Sequence, residues 1–420
     1  MTGPNVLWIQ TDEHRPDSLG CYGSAWAKTP NIDALAARGI VFRNCVCNSP
    51  VCVPSRASQL TGLYPQEVNT VNNAVAEEFA MKRPAPTDHV LPAGTATFPE
   101  VFAAAGYATA SFGKWHMPAH KTWQLNKPLI NLDEYSGYYA LNEAYDEDAH
   151  HVIKRPGATP IILAGTYPTA EAHPSQVITD QAIEWLRSLP EDQPFMLRVS
   201  HNWPHTPVLA PPPFDTLYDP DEIPIRFYDE AAYATRSERD RRIADHHRMK
   251  ELSRDQVRQM WKDYMGLVAC VDHETGRLLA ALRELGLEEE TVVLFSADHG
   301  KALGEWGATE KGFYDSEVWR VPFILAGPGI EARGEVREEI CELIDTGRTL
   351  LALSGLEAPT AFRGRDLLAD PAPDAVFAQI GWPDPEAPLF KQAMGAGPAA
   401  ASMRAAVRTT EYRMDVTWYA

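Results

Sequence analysis

The chain has 420 residues, enough to bury a large core as two domains or as one large α/β domain with a small appendage. Its formal net charge of −19 argues against nucleic acid and anionic membranes as main partners. It also disfavours long polyanionic substrates unless a local basic pocket overrides the field. No apolar run approaches the roughly 18 residues of a membrane span. Met1-Thr2-Gly3-Pro4 passes into a strand-like segment without the basic and apolar regions of a signal peptide, so the expectation is a soluble, cytoplasmic protein. Cys21, Cys45, Cys47, Cys52, Cys270 and Cys341 are too sparse for a disulfide framework, and Cys45 and Cys47 read as reduced thiols.

In chain order, Val6 to Thr11 reads as a buried strand of a mostly parallel sheet, ending in the polar cluster Asp12-Glu13-His14-Arg15-Pro16-Asp17. Ligands of open α/β sheets gather outside the carboxyl ends of strands, so these acids are candidates for a site. Thr29 to Gly39 predicts a short amphipathic helix with Asn31 as N-cap and Gly39 as stop, followed by a strand at Ile40-Val41-Phe42. Cys52 to Gly62 predicts a helix with Pro54 near its start and Gly62 closing it. This places the Cys52 sulfur at a helix N-terminus, where free N–H groups favour negative charge, with Arg56 one turn later. Val71-Asn72-Asn73 is loop-like, and Glu77 to Ala96 reads as a proline-rich surface loop. Phe98 to Ala105 predicts a helix stopped by Gly106, and Tyr107 to Phe112 a strand that delivers Gly113-Lys114-Trp115-His116.

Residues 119 to 174, with Glu143, Asp146 and Asp148, read as loops over the active face that set substrate choice; His150 and His151 read as surface histidines. A helix from Thr179 to Leu189 precedes the strand Phe195 to Ser200, which ends in His201-Asn202-Trp203-Pro204-His205-Thr206-Pro207. Tyr228 to Arg254, dense in both charges, reads as a solvated excursion, and Asp255 to Leu285 as a long amphipathic helix. Thr291 to Ser296 is the next buried strand, delivering Ala297-Asp298-His299-Gly300. Carboxylates with one imidazole suit a hard or borderline divalent ion, calcium first, with magnesium or manganese behind it. Lys311 precedes a strand at Arg320 to Leu325. From Gly329 the composition shifts toward turns, with a helix at Thr346 to Ser354 and strands at 375–380, 405–409 and 412–419.

The run Cys52-Val53-Pro54-Ser55-Arg56, followed by Leu60-Thr61-Gly62, closely resembles the sulfatase signature, in which the cysteine is oxidised to formylglycine, the nucleophile. The resemblance extends over nearly the whole chain. It implies an alkaline-phosphatase-like α/β fold: a large mixed, mostly parallel sheet flanked by helices (residues 1–328) and a smaller C-terminal α+β subdomain with antiparallel strands (329–420). It implies a divalent metal held by Asp12, Glu13, residue 52, Asp298 and His299; Glu13 is a methylene longer than the aspartate many relatives carry. Lys114, His116 and Lys311 match family positions that contact the transferred group, and Pro204-His205-Thr206-Pro207 makes His205 the match for a sulfate contact and proton donor. Asn73 and His201 are weaker matches for substrate contacts.

In this reading one hydroxyl of the formylglycine hydrate, held by metal and Arg56, attacks sulfur, and His205 protonates the leaving alcohol. The second hydroxyl then loses its proton, to His116, and sulfate is expelled. The implied partners are a small-molecule or saccharide sulfate ester and a formylglycine-generating maturation enzyme, with a homo-oligomer open. A phosphonate monoester or phosphodiester hydrolase using the same nucleophile and metal is the alternative, and the pair Lys114 and His116 favours sulfate. A catalytically silent binding protein is the third reading.

Overall fold

A computed structural model describes residues 3–68, 70–73, 91–92, 94–117, 152–156, 162–167, 173–381 and 402–419. Its centre is a seven-stranded sheet built from β1 (Asn5–Thr11), β2 (Gly39–Val46), β3 (Ala108–Gly113), β6 (Phe195–Ser200), β8 (Thr291–Ala297), β11 (Phe323–Ala326) and β12 (Glu335–Glu342), in the order β12-β2-β11-β8-β1-β6-β3. The strands β8, β1, β6 and β3 run parallel, whereas β11 is antiparallel to both its neighbours. Strand β1 shows why the sheet is a two-sided core. Leu7 and Ile9 join one apolar cluster and Val6 and Trp8 the other, so the pleat feeds both faces and the strand reads as one apolar run.

Helices α1 (Pro30–Ala37), α4 (Pro174–Arg187) and α7 (Arg254–Glu284) cover the first face. On the second lie α2 (Cys52–Thr61), α3 (Phe98–Ala104) and α9 (Asp345–Leu353). Between α4 and α7 come two short helices, α5 (Glu230–Ala234) and α6 (Glu238–His247); a single turn, α8 (Ser316–Trp319), precedes β11. The stretch between α5 and α7 is not purely solvated as expected. Asp240 is buried against Arg404, whose Nη1 and Nη2 lie 2.8 and 3.1 Å from its oxygens.

Three small sheets surround this frame. Strands β4 (Val152–Lys154), β5 (Ile162–Thr166) and β7 (Val208–Ala210) form one, β9 (Ala302–Leu303) and β10 (Thr309–Glu310) another. The antiparallel set β13 (Val376–Ile380), β14 (Ser402–Arg408) and β15 (Arg413–Tyr419) forms the third. Thus the stretch 119–174, read as loops, contains two strands; Glu143, Asp146, Asp148, His150 and His151 lie outside the described residues. Residues 329–420 contribute both β12 to the large sheet and β13–β15 to the small one.

The first helix begins differently from the sequence expectation. Pro30 takes the first helical position after Thr29, and Asn31 sits inside the helix, donating its amide and Nδ2 to Asp272 on α7 at 3.3 and 2.8 Å. The helix ends at Ala37, and Gly39 instead opens β2, where a Cβ would meet the Leu325 carbonyl at 2.1 Å. All six cysteines are free thiols, and among the described residues no helix is long and apolar enough to cross a membrane.

Candidate active site

Because β8, β1, β6 and β3 are adjacent and parallel, their carboxyl ends deliver Asp298-His299, Asp12-Glu13, His201 to His205, and Lys114 to one edge of the sheet. Gly113 makes the last of these exits possible: its φ is 88°, and a Cβ there would meet the Ser200 carbonyl at 2.1 Å. Helix α2 brings Cys52 to the same edge. Cys52 is its first residue, Pro54 occupies its first turn, and Gly62 ends it in a left-handed conformation (φ 64°). Asn73 Oδ1 accepts from the Val53 N–H at 3.0 Å, so this residue satisfies a free donor of the helix beside Cys52.

The Cys52 sulfur is fully buried and ringed by charge. Lys311 Nζ lies 3.0 Å away, His299 Nε2 3.1 Å and Asp12 Oδ1 3.9 Å. Burial and the Asp12 charge work against ionisation, yet Lys311, Lys114 and His299 outweigh them and hold the thiol well below its ordinary range. The pocket is built to hold an anion at residue 52.

Arg56 bridges the two metal-type carboxylates. Its Nη2 donates to Asp12 Oδ2 at 2.7 Å, its Nε to Asp298 Oδ2 at 2.8 Å, and its Nη1 to Ser200 Oγ at 3.0 Å. Lys114 Nζ pairs with the same Asp12 oxygen at 2.8 Å. Ligand atoms of Asp12, Cys52, Asp298 and His299 lie within 4.8 Å of one another, all in buried side chains. Two carboxylates and an imidazole fit a divalent cation. Burial, opposed by Arg56 but aided by the Asp12 charge, pushes the Asp298 carboxyl up to about 6, whereas against burial Lys114 and Arg56 hold the Asp12 carboxyl well below its usual range. His299 is set for ligation, because its Nδ1 lies 2.8 Å from the Gly300 carbonyl and leaves Nε2 facing the cluster.

Glu13 takes a different place from the one expected. It has a left-handed backbone (φ 58°), and its carboxylate lies between two lysines, Lys301 Nζ at 2.5 Å on Oε2 and Lys311 Nζ at 2.6 Å on Oε1. His205 Nε2 stands 3.4 Å from Oε1, making Asp12, Glu13 and His205 a second group with metal-ligand spacing. Burial opposes the charge of Glu13, but His205, Lys301 and Lys311 prevail and keep its carboxyl well below the usual range. Burial likewise opposes charge on His205, yet the Glu13 carboxylate holds its imidazole above the ordinary value.

The remaining sequence candidates divide. His116 follows Lys114 by two residues, half-buried, with φ 44°. His201 is fully buried, neither ring nitrogen has a hydrogen-bond partner among the described residues, and burial followed by the His173 charge pushes its imidazole down to about 3. Sequence reasoning missed Lys301, Thr206 and Glu310, which interlock beside Glu13, and Arg198, which underlies Arg56. Arg198 donates to Gln10 Oε1 and Ser200 Oγ at 3.0 and 3.1 Å, and both groups also accept from Arg56. The signal was there: a lone arginine in the apolar strand Phe195 to Ser200, and a lysine directly after Asp298-His299-Gly300.

The sulfatase family model matches residues 4–356. The chain belongs to the sulfatase family. As such it is an enzyme of the sulfuric ester hydrolase class, on an alkaline-phosphatase-like fold. The ulvan-active sulfatase of Formosa agariphila is 29% identical over 98% of this chain and 72% of its own length. Human iduronate 2-sulfatase is 27% identical over 98% of this chain and 84% of its own. Among solved structures, a phosphonate monoester hydrolase from Silicibacter pomeroyi superposes with a TM-score of 0.75 at 25% identity, covering 99% of this chain and 89% of the other.

Proposed function

We propose that this sulfatase hydrolyses a sulfate monoester of a small molecule or saccharide, with residue 52, converted from cysteine to formylglycine by a maturation enzyme, as the nucleophile. The observation that carries the reading is the setting of Cys52: a helix N-terminus, an ammonium at 3.0 Å and an imidazole at 3.1 Å, all of which stabilise negative charge at one point. A thiolate there would leave a stable thiosulfate after attack on sulfur. The hydrated aldehyde of formylglycine supplies an oxygen nucleophile instead. A divalent cation, with calcium the first choice for its carboxylate donors, would be held by Asp12, Asp298, His299 and residue 52, and supplies Lewis-acid polarisation of the ester.

The chain's own residues do the rest. Arg56 fixes Asp12 and Asp298 in place. Lys114 and Lys311 bind and neutralise sulfuryl oxygens. His205, whose Nδ1 lies 2.5 Å from the Thr206 carbonyl, holds a proton at Nε2 for the leaving alcohol. His116, two residues beyond Lys114, is assigned the proton from the nucleophile's second hydroxyl. The names of the relatives, ulvan-active and iduronate 2-sulfatase, support a sugar as the alcohol part.

A second reading, phosphonate monoester hydrolysis, is favoured by the likeness to the S. pomeroyi enzyme. A side-by-side assay of an aryl sulfate and an aryl phosphonate monoester separates the two. The expected result is a higher kcat/KM on the sulfate, and a large phosphonate preference overturns the first reading.

A further inference from the structure

We infer that Lys301 is a positioning residue for the proton donor, holding His205 through Glu13 and Thr206. This rests on the assignment of His205 as donor to the leaving alcohol. Lys301 is 1% exposed, and its ammonium has three donors, all placed. They meet Glu13 Oε2 at 2.5 Å, Thr206 Oγ1 at 2.5 Å and Glu310 Oε1 at 3.2 Å. Thr206 Oγ1 in turn donates to Glu310 Oε1 at 2.7 Å, which closes the triangle. The backbone of Lys301 is also tied, its N–H donating to the Glu317 carbonyl at 2.8 Å and its own carbonyl accepting from Arg15 Nη1 at 3.4 Å.

Two of the three groups that face the His205 ring, Thr206 and Glu13, hang on this ammonium; the third is Lys311. The carbonyl of Thr206 accepts from Nδ1–H at 2.5 Å and so selects the tautomer and ring plane. The other neighbour is Glu13, whose Oε1 faces Nε2 at 3.4 Å and carries Lys311, itself 3.0 Å from that nitrogen. Without Lys301, the Glu13 carboxylate loses the contact that fixes its second oxygen, and Thr206 loses a donor. The imidazole then loses the geometry that aims Nε2 at a leaving oxygen. A lysine that merely neutralised buried acids would leave leaving-group dependence unchanged.

The test is a series of aryl sulfates from 4-nitrophenyl to phenyl sulfate, ordered by leaving-group basicity, run on wild type, Lys301→Met, Thr206→Val and His205→Ala. A positioned general acid contributes 10²–10⁴-fold, mostly to poor leaving groups, so Lys301→Met is expected to lose about 30-fold in kcat on phenyl sulfate and under about 3-fold on 4-nitrophenyl sulfate. KM is expected to stay within about two-fold, and Thr206→Val should show the same gradient at about five-fold. A uniform loss across the series, or one carried by KM, alongside a graded loss in His205→Ala, overturns the role of Lys301 alone. A uniform loss in His205→Ala overturns the donor assignment and the inference with it, as does a wild type that turns over none of the series. Should Lys301→Met lack a cooperative melt, the gradient of Thr206→Val decides.

Discussion

Asp12, Glu13 and Asp298, at the ends of β1 and β8, are as deeply buried as Glu342 and Asp345, where β12 and α9 meet β13. In the first region every acid faces a cation: Arg56 and Lys114 on Asp12, Lys301 and Lys311 on Glu13, Arg56 on Asp298. In the second, Glu342 meets neutral donors, accepting from Phe377 N–H at 2.7 Å, Asn48 Nδ2 at 3.0 Å and Tyr64 OH at 3.0 Å. Asp345 accepts from the Glu342 and Arg365 amides at 2.9 and 2.8 Å, with the Arg365 guanidinium only at 4.0 Å. Burial, then the Asp345 charge, pushes Glu342 up to about 8, and burial pushes Asp345 up to about 6. Glu342, which joins the small sheet to the large one, can be held as a neutral hydrogen-bonding group, whereas Asp12 and Glu13 at the strand end are kept ionised, at a desolvation cost that only opposite charge offsets. Asp298 differs from both: burial, aided by the Asp12 charge, pushes it up to about 6 despite Arg56.

The largest effect is at the nucleophile: Cys52→Ala should lower kcat by at least about 10⁴-fold while circular dichroism and the cooperative melt persist, and retained turnover would contradict the mechanism. Next is Arg56→Ala, which strands two buried carboxylates. Breaking a buried pair from one side costs about 3–5 kcal/mol, so urea denaturation at neutral pH should show a loss of that order. A loss under about 1 kcal/mol would mean that the acids of the site do not depend on their counter-ions.

The smallest effect belongs to the junction and carries a pH signature. The Glu342 carboxyl titrates near 4.5 unfolded and about 8 folded, so between those values the native state binds the extra proton. Its contribution is therefore full below pH 4.5 and declines as pH rises toward 8. Glu342→Gln keeps an acceptor without the titration. Its thermal stability relative to wild type should improve progressively as pH rises from 5 to 8. A flat difference across that range would place a charged Glu342 in the folded protein.

Much of the site was legible because strands buried on both faces are continuous apolar runs, and the polar residues that end them stand out. Strand ends marked Asp12, Lys114, His205 and Asp298 as candidates, but their roles, and that of Cys52, came only from the resemblance to the sulfatase motifs. Strand β12 escaped because its sequence, Glu335-Val336-Arg337-Glu338-Glu339-Ile340-Cys341-Glu342, alternates poorly. It is an edge strand, exposed at its beginning and broken in register between Arg337 and Ile340. The N-cap of α1 was misplaced because Asn31 is satisfied by Asp272, which lies far along the chain and invisible to local pattern. The partners of Lys301 are likewise scattered over Glu13, Thr206 and Glu310, and only the fold brings them together.

We propose that residue 52 works as formylglycine in a pocket built for an anion. Mass spectrometry of the peptide containing Cys52, from protein made in its own host, tests it most directly. The lighter mass of the aldehyde is expected. A peptide carrying only unmodified cysteine, in protein that still cleaves a sulfate ester, would contradict it.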